Sequence, residues 1–315
     1  MAGLGAFAMA QIFLPSLLRG ATLSSDLKPL RLGFLTDCHA MSDHQAPAWL
    51  DQTAQLMNSL QPDLIIGGGD FVDGGFYQDG KTMDRRWKLA TSFLNQVRTR
   101  LEPVIGNHDF YEPLNPDRTP SAKDPRRRFK KHFGLEKTYR SFEFRGYRFL
   151  ILDSIKVVGG ASPYQGWIDG AQLRWLDHEL TRIPANQPII LCTHIPFRTQ
   201  ADFGCGALMG RALAGRFEVQ NSNEVMHRLQ GRPLALILQG HVHMNEYLDL
   251  GGVPCITGGA VCGDWWKGPN RGTYAGLGMI EITPASRQQP GAIPSSAWNY
   301  TNTPAPYGAE KALGV

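Results

Sequence analysis

Asp63-Leu64-Ile65-Ile66-Gly67-Gly68-Gly69-Asp70-Phe71-Val72-Asp73 is the stretch from which this chain is read. A short apolar run ends in three glycines and then a carboxylate, the pattern of a buried strand running into a loop whose backbone can approach other groups closely. The same arrangement recurs four times. Residues 31–35 run into Asp37-Cys38-His39, residues 103–105 into Gly106-Asn107-His108-Asp109, residues 188–191 into His194, and residues 234–238 into Gly240-His241-Val242-His243. Loops at the carboxyl ends of such strands are where α/β folds place their chemistry. The five ends carry carboxylates, imidazoles and one amide, donors that borderline-hard metal ions accept. If they converge, they form a metal site assembled by the whole fold.

Working outward, strands are expected at 30–36, 63–67, 102–105, 188–193 and 234–239, with helices at 46–60, 83–100, 170–181 and 221–230 and a basic helix near 124–133. That alternation argues for an α/β sheet. Arg145-Gly146 between residues 139–144 and 147–152 marks a hairpin, and residues 247–256 resemble another. The chain divides into an apolar segment at 1–25, one catalytic domain at 26–283, and a Pro-, Ala- and Ser-rich extension at 284–315, expected to be irregular.

Composition narrows the class. The 315 residues are 42% hydrophobic and 19% charged, as in an ordinary globular protein. The formal net charge of +4 is too small to argue for a nucleic-acid partner. One basic run, residues 126–132, is read as a solvated helix face rather than an anion groove. Five cysteines preclude a complete disulfide framework. Cys255 and Cys262 are too loosely spaced for a persuasive thiolate site, so all five are read as reduced and structural. Residues 2–18 resemble the apolar core of an export signal, although no Lys or Arg precedes them. Export is favoured slightly over a cytoplasmic location, the rival being an apolar helix packed on the domain. Pro15 and the short length argue against a stable membrane span.

Two ions about 3.5–4 Å apart can clamp a phosphate, and they require a shared anion with lone pairs on both sides. Asp70, after its glycines, is the best candidate. Asp37 and His39 leave the same face of an extended segment and can bind one ion together. His241 and His243 have the same spacing but can also serve different ions. Asn107 offers a neutral oxygen and His194 a further imidazole. His108 can protonate a leaving alkoxide or stabilise phosphoryl charge, oriented by Asp73 or Asp109.

Together the blocks Asp-x-His, Gly-Asp-x-x-Asp, Gly-Asn-His-Asp, an isolated His after a strand, and Gly-His-x-His, in order over residues 37–243, resemble the calcineurin-like metallophosphoesterase superfamily. The resemblance implies a two-sheet β-sandwich flanked by helices (αββα). It implies two divalent or mixed-valence ions (Mn, Fe or Zn), with Asp37, His39 and His243 on the first, Asn107, His194 and His241 on the second, and Asp70 bridging. It further implies His108 as the acid or phosphate-contacting histidine, Asp73 as its partner, and phosphoester hydrolysis by a metal-bridging hydroxide. Phe71-Val72-Asp73 stands where purple acid phosphatases carry a tyrosine ligand shortly after the bridging aspartate. Gly74-Gly75 lies where protein phosphatases carry an arginine. The spacing is closer to small bacterial phosphodiesterases. The expected substrate is a phosphodiester or small organic phosphate; the rivals are a nucleotide or lipid pyrophosphatase and a metal-binding scaffold without turnover. Outside the ligand set, Trp265, Trp266, Lys267, Arg198 and His44 are candidate substrate contacts, with closure of the core edge as the rival role for the two tryptophans.

Overall fold

The computed structural model describes residues 28–201, 215–284 and 294–303. The first five-stranded sheet has the order β13-β12-β1-β2-β3. Its parallel centre is β1 (Leu30–Leu35), β2 (Leu64–Gly67) and β3 (Leu101–Pro103), and the antiparallel flank is β12 (Gly276–Thr283) and β13 (Ser295–Asn302). The second sheet has the order β10-β11-β9-β8-β5-β4. There β5 (Tyr147–Ile151), β8 (Ile189–Cys192), β9 (Leu234–Gln239) and β11 (Pro254–Thr257) run parallel, edged by antiparallel β4 (Arg140–Phe144) and β10 (Glu246–Asp249). A two-stranded ribbon joins β6 (Ile155–Val157) to β7 (Tyr164–Gly166).

The central strands are apolar at nearly every position because both faces are covered. Leu32, Phe34, Leu64 and Ile66 meet Phe149, Ile151, Ile190, Leu236 and Leu238 in the layer between the sheets. Their alternates Leu35, Ile65, Ile189, Leu191 and Ile237 belong to an outer layer with the helices. The expected αββα sandwich is the observed one. Five helices are described: α1 (Ala46–Leu60), α2 (Gly80–Leu94), α3 (Arg127–Phe133), α4 (Gly170–Arg182) and α5 (Ser222–Arg228). None of the described helices is long and apolar enough to cross a membrane. α1 buries Leu50, Ala54 and Met57 at helical spacing. It lies so close to β1 that a Cβ at Gly33 would come within 2.7 Å of the Met57 sulfur.

Two expectations are corrected. The second helix occupies 80–94, not 83–100: the Asp79 side chain caps it by accepting from the Thr82 N–H at 2.7 Å. Its far end stops because Asn58 of α1 takes the Gln96 carbonyl (2.8 Å) and the Arg98 N–H (2.9 Å). The stretch from 284 is not wholly irregular, since β13 pairs along all of β12. Its small polar residues disguise a period-two pattern in which Ser296, Trp298 and Tyr300 are partly buried and Ser295, Ala297 and Asn299 exposed. The basic run is, as expected, a helix face rather than an anion groove: Arg126 pairs with Asp153, Arg127 with Glu112, Arg128 with Asp84 and Lys130 with Asp124. The apolar segment at 1–25 lies outside the described residues.

Candidate metal centre

Loops leaving β1, β2, β8 and β9, with the 3-10 turn Asn107–Asp109 that follows β3, meet at one end of the sandwich. All seven expected ligands are brought together there, and all but His241 are buried below 3% exposure. The Asp70 Oδ2 lies 3.5 Å from His39 Nε2 and 3.2 Å from His194 Nε2. His243 Nε2 lies 3.1 Å from His39 Nε2 and 3.3 Å from Asp37 Oδ1. His194 and His241 stack edge to face with ring centres 5.1 Å apart. Metal–ligand bonds of about 2.0–2.2 Å place donors on one ion roughly 3.0–3.5 Å apart, which is the spacing seen here.

Each imidazole is held by its far nitrogen. His194 Nδ1–H donates to the Gly68 carbonyl (2.8 Å), His241 Nε2–H to that of Arg216 (2.7 Å) and His243 Nδ1–H to that of Gly263 (2.6 Å). A carbonyl can only accept, so the hydrogen is assigned to that side and the other nitrogen turns its lone pair inward, the usual outer support of a metal-binding histidine. Both Asn107 side-chain polar atoms and His241 Nδ1 are buried without a hydrogen-bond partner, while the nearest polar neighbours of Asp37 Oδ1 and His194 Nε2 are His243 Nε2 and Asp70 Oδ2. Orphaned buried polar atoms are costly and rare in folded proteins. The Asn107 oxygen and the His241 lone pair, beside a cluster in which Asp70, His194 and His241 bring ligand atoms within 4.8 Å of one another, fit bound cations.

The charges make the same demand. Burial opposes ionisation of Asp37, but His243 beside it holds the carboxyl well below the usual range. Asp70 is likewise held down, against burial, by His194 and His108. Burial disfavours the charged imidazoles, yet the site raises His39 to about 10, chiefly through Cys262 and the carboxylates of Asp37, Asp73 and Asp70. Asp70 raises His194 to about 9. His241, buried and beside His194, falls to about 3 and is neutral. The carboxylates thus draw positive charge inward, and protons compete with metal ions for the same lone pairs.

This assembly is strained. Asp37, His39, Asp70, His241 and His243 all have positive φ, from +40° to +74°, a region that non-glycine residues seldom occupy. Glycines give the space: a Cβ at Gly106 would lie 2.1 Å from Asp70 Oδ1, and one at Gly69 (φ +101°) 2.5 Å from His194 Nδ1.

Asp109 is what holds the Asp70 loop in shape. Its carboxylate accepts from the N–H groups of Asp70 (2.9 Å), Phe71 (2.8 Å), Val72 (3.3 Å) and Gly106 (2.9 Å). Burial and the neighbouring Asp70 charge push its carboxyl up to about 7, against these four donors. It does not orient His108; Asp73 is the carboxylate beside that ring, at 3.3 Å from Nδ1. Asp109→Ala leaves four buried N–H groups without acceptors, and a loss of about 2–4 kcal/mol is expected in urea unfolding. A loss below about 1 kcal/mol would show that the loop holds itself.

Asp73 is shared. Its Oδ1 lies near His39 Nδ1 (3.4 Å) and His108 Nδ1, while Arg86 neutralises Oδ2 at 2.6 Å. Arg86 is a participant that sequence spacing did not single out, lying on α2 among ordinary surface arginines. The Gly74 N–H donates to His108 Nδ1 at 3.0 Å, which places the hydrogen of a neutral ring on Nε2.

The two tryptophans differ. Trp265 packs on His243 and His39, with ring centres 4.6 and 5.4 Å apart. Trp266 is buried, and its Nε1–H donates to the His39 carbonyl at 3.0 Å, so it anchors the loop and has no face for a ligand. Arg198 is not brought to the centre: it donates to the Phe197 carbonyl, Ser222 and Asn223 at the start of α5. Lys267 and His44 are exposed, and neither touches the cluster. Cys38, Cys192, Cys255 and Cys262 are free and buried, and Cys205 lies outside the described residues. Cys262 was not anticipated at the site; its sulfur lies 3.9 Å from His243 Nδ1, and burial raises its thiol to about 12.

Against known proteins, the family model described as calcineurin-like phosphoesterase matches residues 30–245. A cAMP/cGMP dual specificity phosphodiesterase of Mycobacterium tuberculosis is 25% identical over 224 residues, covering 70% of this chain and 60% of that protein. The chain therefore matches less than two thirds of that relative's length. A 3',5'-cyclic-nucleotide phosphodiesterase of Nostoc sp. is 23% identical over 225 residues, covering 68% of this chain and 72% of that protein. Among solved structures, a dimetal phosphatase from Danio rerio superposes with TM-score 0.58 at 13% identity, covering 85% of this chain and 98% of that one. A purple acid phosphatase from yellow lupin gives 0.53 at 13% identity over 91% of this chain and 56% of that one. At such identities the structural likeness concerns the fold alone.

Proposed function

The chain belongs to the calcineurin-like phosphoesterase family, and from that premise we propose that it hydrolyses phosphodiesters at a centre of two metal ions. The observation that carries this reading is the convergence of buried donors on Asp70, within 3.5 Å of His39 Nε2 and His194 Nε2, beside the partnerless Asn107 oxygen and His241 Nδ1. In it, Asp37, His39 and His243 hold one ion, Asn107, His194 and His241 hold the other, and Asp70 serves both. Bound there, the ions supply Lewis acidity to the phosphoryl oxygens and lower the pKa of the attacking water. The oxygen and nitrogen donors suit Mn, Fe or Zn. The cyclic-nucleotide activity of the two relatives supports a diester over a monoester.

His108 acts on the opposite side of phosphorus. With Nδ1 engaged by the Gly74 N–H, its Nε2–H points outward and can donate to the departing alkoxide. Asp73, itself paired with Arg86, stabilises the ring when charged. A panel of diester, monoester, cyclic-nucleotide and pyrophosphate substrates, with elemental analysis of the protein, tests the reading. Turnover that persists in rigorously metal-free protein overturns it.

The pKa directions give a further test. His39 and His194 stand at about 10 and about 9 in the metal-free fold, above the ordinary 6.5. A raised folded-state pKa contributes stability in full below the unfolded value and loses it as pH rises through the folded one. Metal-free protein is therefore expected to lose thermal stability between about pH 7 and 10, and metal addition at pH 8 to release about two protons per chain. Calorimetry in buffers of different ionisation enthalpy measures that release, and none at all would contradict the ligand assignment.

A further inference from the structure

Arg216 lies outside every expected motif, yet its backbone carbonyl holds the His241 ring. Its guanidinium donates to the hydroxyls of Tyr77 (2.8 Å) and Tyr164 (3.1 Å) and lies over the Tyr164 ring at 4.8 Å from its centre. Burial keeps the Tyr164 hydroxyl protonated, so it offers Arg216 no counter-charge. Among the described residues no carboxylate lies within ion-pair distance of Arg216, in contrast to Arg86, whose charge is taken by Asp73. A half-buried guanidinium with no carboxylate partner among the described residues, beside a phosphate-handling centre, favours a bound anion.

The arch it completes is positioned over the chemistry. The Tyr164 ring centre lies 6.2 Å from that of His241, and the Tyr77 ring centre 5.9 Å from that of His108. Tyr164 is buried, whereas Tyr77 is 49% exposed, an unusual exposure for a large aromatic side chain in this structure. The group that receives a proton from His108 must leave past His108, so its body passes Tyr77. Planar groups stack on such a ring face.

We propose that Arg216 and Tyr77 form the substrate-recognising rim of this centre, Arg216 binding a phosphoryl oxygen and Tyr77 stacking on a planar aromatic group of the departing side, as in an aryl or nucleoside phosphodiester. This rests on the phosphodiesterase reading above. The rim explains how one member of a fold with a common metal site selects an aromatic diester: the metals handle phosphorus, and the rim handles its substituent.

The test compares bis(4-nitrophenyl) phosphate and adenosine 3',5'-cyclic phosphate with glycerophosphoethanolamine, whose two ester groups are aliphatic. Both Tyr77→Phe and Tyr77→Ala lose the hydroxyl that holds Arg216, so their comparison isolates the ring: Tyr77→Ala is expected to raise KM about 5- to 20-fold above that of Tyr77→Phe for the aromatic pair, and to stay within about 2-fold of Tyr77→Phe for the aliphatic diester. Arg216→Gln is expected to lower kcat/KM about 10- to 100-fold for all three, with Arg216→Lys recovering part of it and metal content unchanged. Equal effects of Tyr77→Ala, relative to Tyr77→Phe, on both substrate classes, or no effect, overturn the stacking role. Unchanged kcat/KM in Arg216→Gln, or a loss that tracks lost metal, overturns the anion role, because Arg216 would then act only through His241. If the unmodified protein turns over none of the three, the phosphodiesterase reading itself falls. If it turns them over and the variants match it, only the rim is wrong.

Discussion

Asp70→Ala is expected to lose at least about 10³-fold in kcat/KM on an aryl phosphodiester and to bind fewer than two ions per chain. The Asp70 carboxylate joins both halves of the cluster. One carboxylate oxygen lies within 3.5 Å of imidazoles from both halves of the centre, and the other accepts the His108 N–H at 2.7 Å. Removing it takes away the only carboxylate shared by the two halves of the proposed centre. It also leaves His194 without the charge that chiefly raises it, and His39 without one of several. Asp70→Asn separates charge from shape. It is nearly isosteric and can keep the His108 contact, so a comparable loss of metal and turnover assigns the effect to the missing negative charge. Elemental analysis with steady-state kinetics on both variants measures this. Full occupancy by two ions in Asp70→Ala would mean that the centre is held without a bridge.

His108→Gln is expected to behave differently, keeping both ions while kcat falls about 10²–10³-fold for diesters with alkyl leaving groups. The ring stands edge to face with that of His39, ring centres 4.6 Å apart, and its Nδ1 is engaged by Asp73 and Gly74. Its proposed task is to donate the Nε2 proton to the departing oxygen, and that donation matters in proportion to the leaving group's basicity. With 4-nitrophenolate, which departs without a proton, the loss is expected to shrink to about 10-fold or less. A plot of log kcat against leaving-group pKa should therefore steepen in the variant. Parallel plots for the two proteins would refute the acid role and leave His108 with charge stabilisation alone.

Much of this protein can be read from its residues in order. The alternation of apolar runs and helical periods places α1 at its observed ends and gives the parallel strands, because a strand buried on both faces must be apolar throughout. β13 is harder to read. It covers only an edge, and Ser295, Ala297 and Asn299 face solvent where strand formers carry no advantage. Helix ends are read poorly for a related reason: α2 is cut short by Asn58, a partner 38 residues away.

What the sequence by itself determined is the donor set and its order, since each ligand type must follow a strand end and each block is local. Tertiary structure alone decided which nitrogen of each imidazole faces inward, that Asp109 secures the Asp70 loop while Asp73 serves His108, and that Trp266 is an anchor. It also turned Arg198 away and brought Arg216 and Tyr77 together beside His241 and His108. Those outcomes depend on backbone carbonyls and N–H groups contributed by distant segments, and on positive φ angles held by surrounding packing. Neither leaves a mark on residue identity at the position concerned, so the chemistry is legible along the chain while its orientation exists only in the folded molecule.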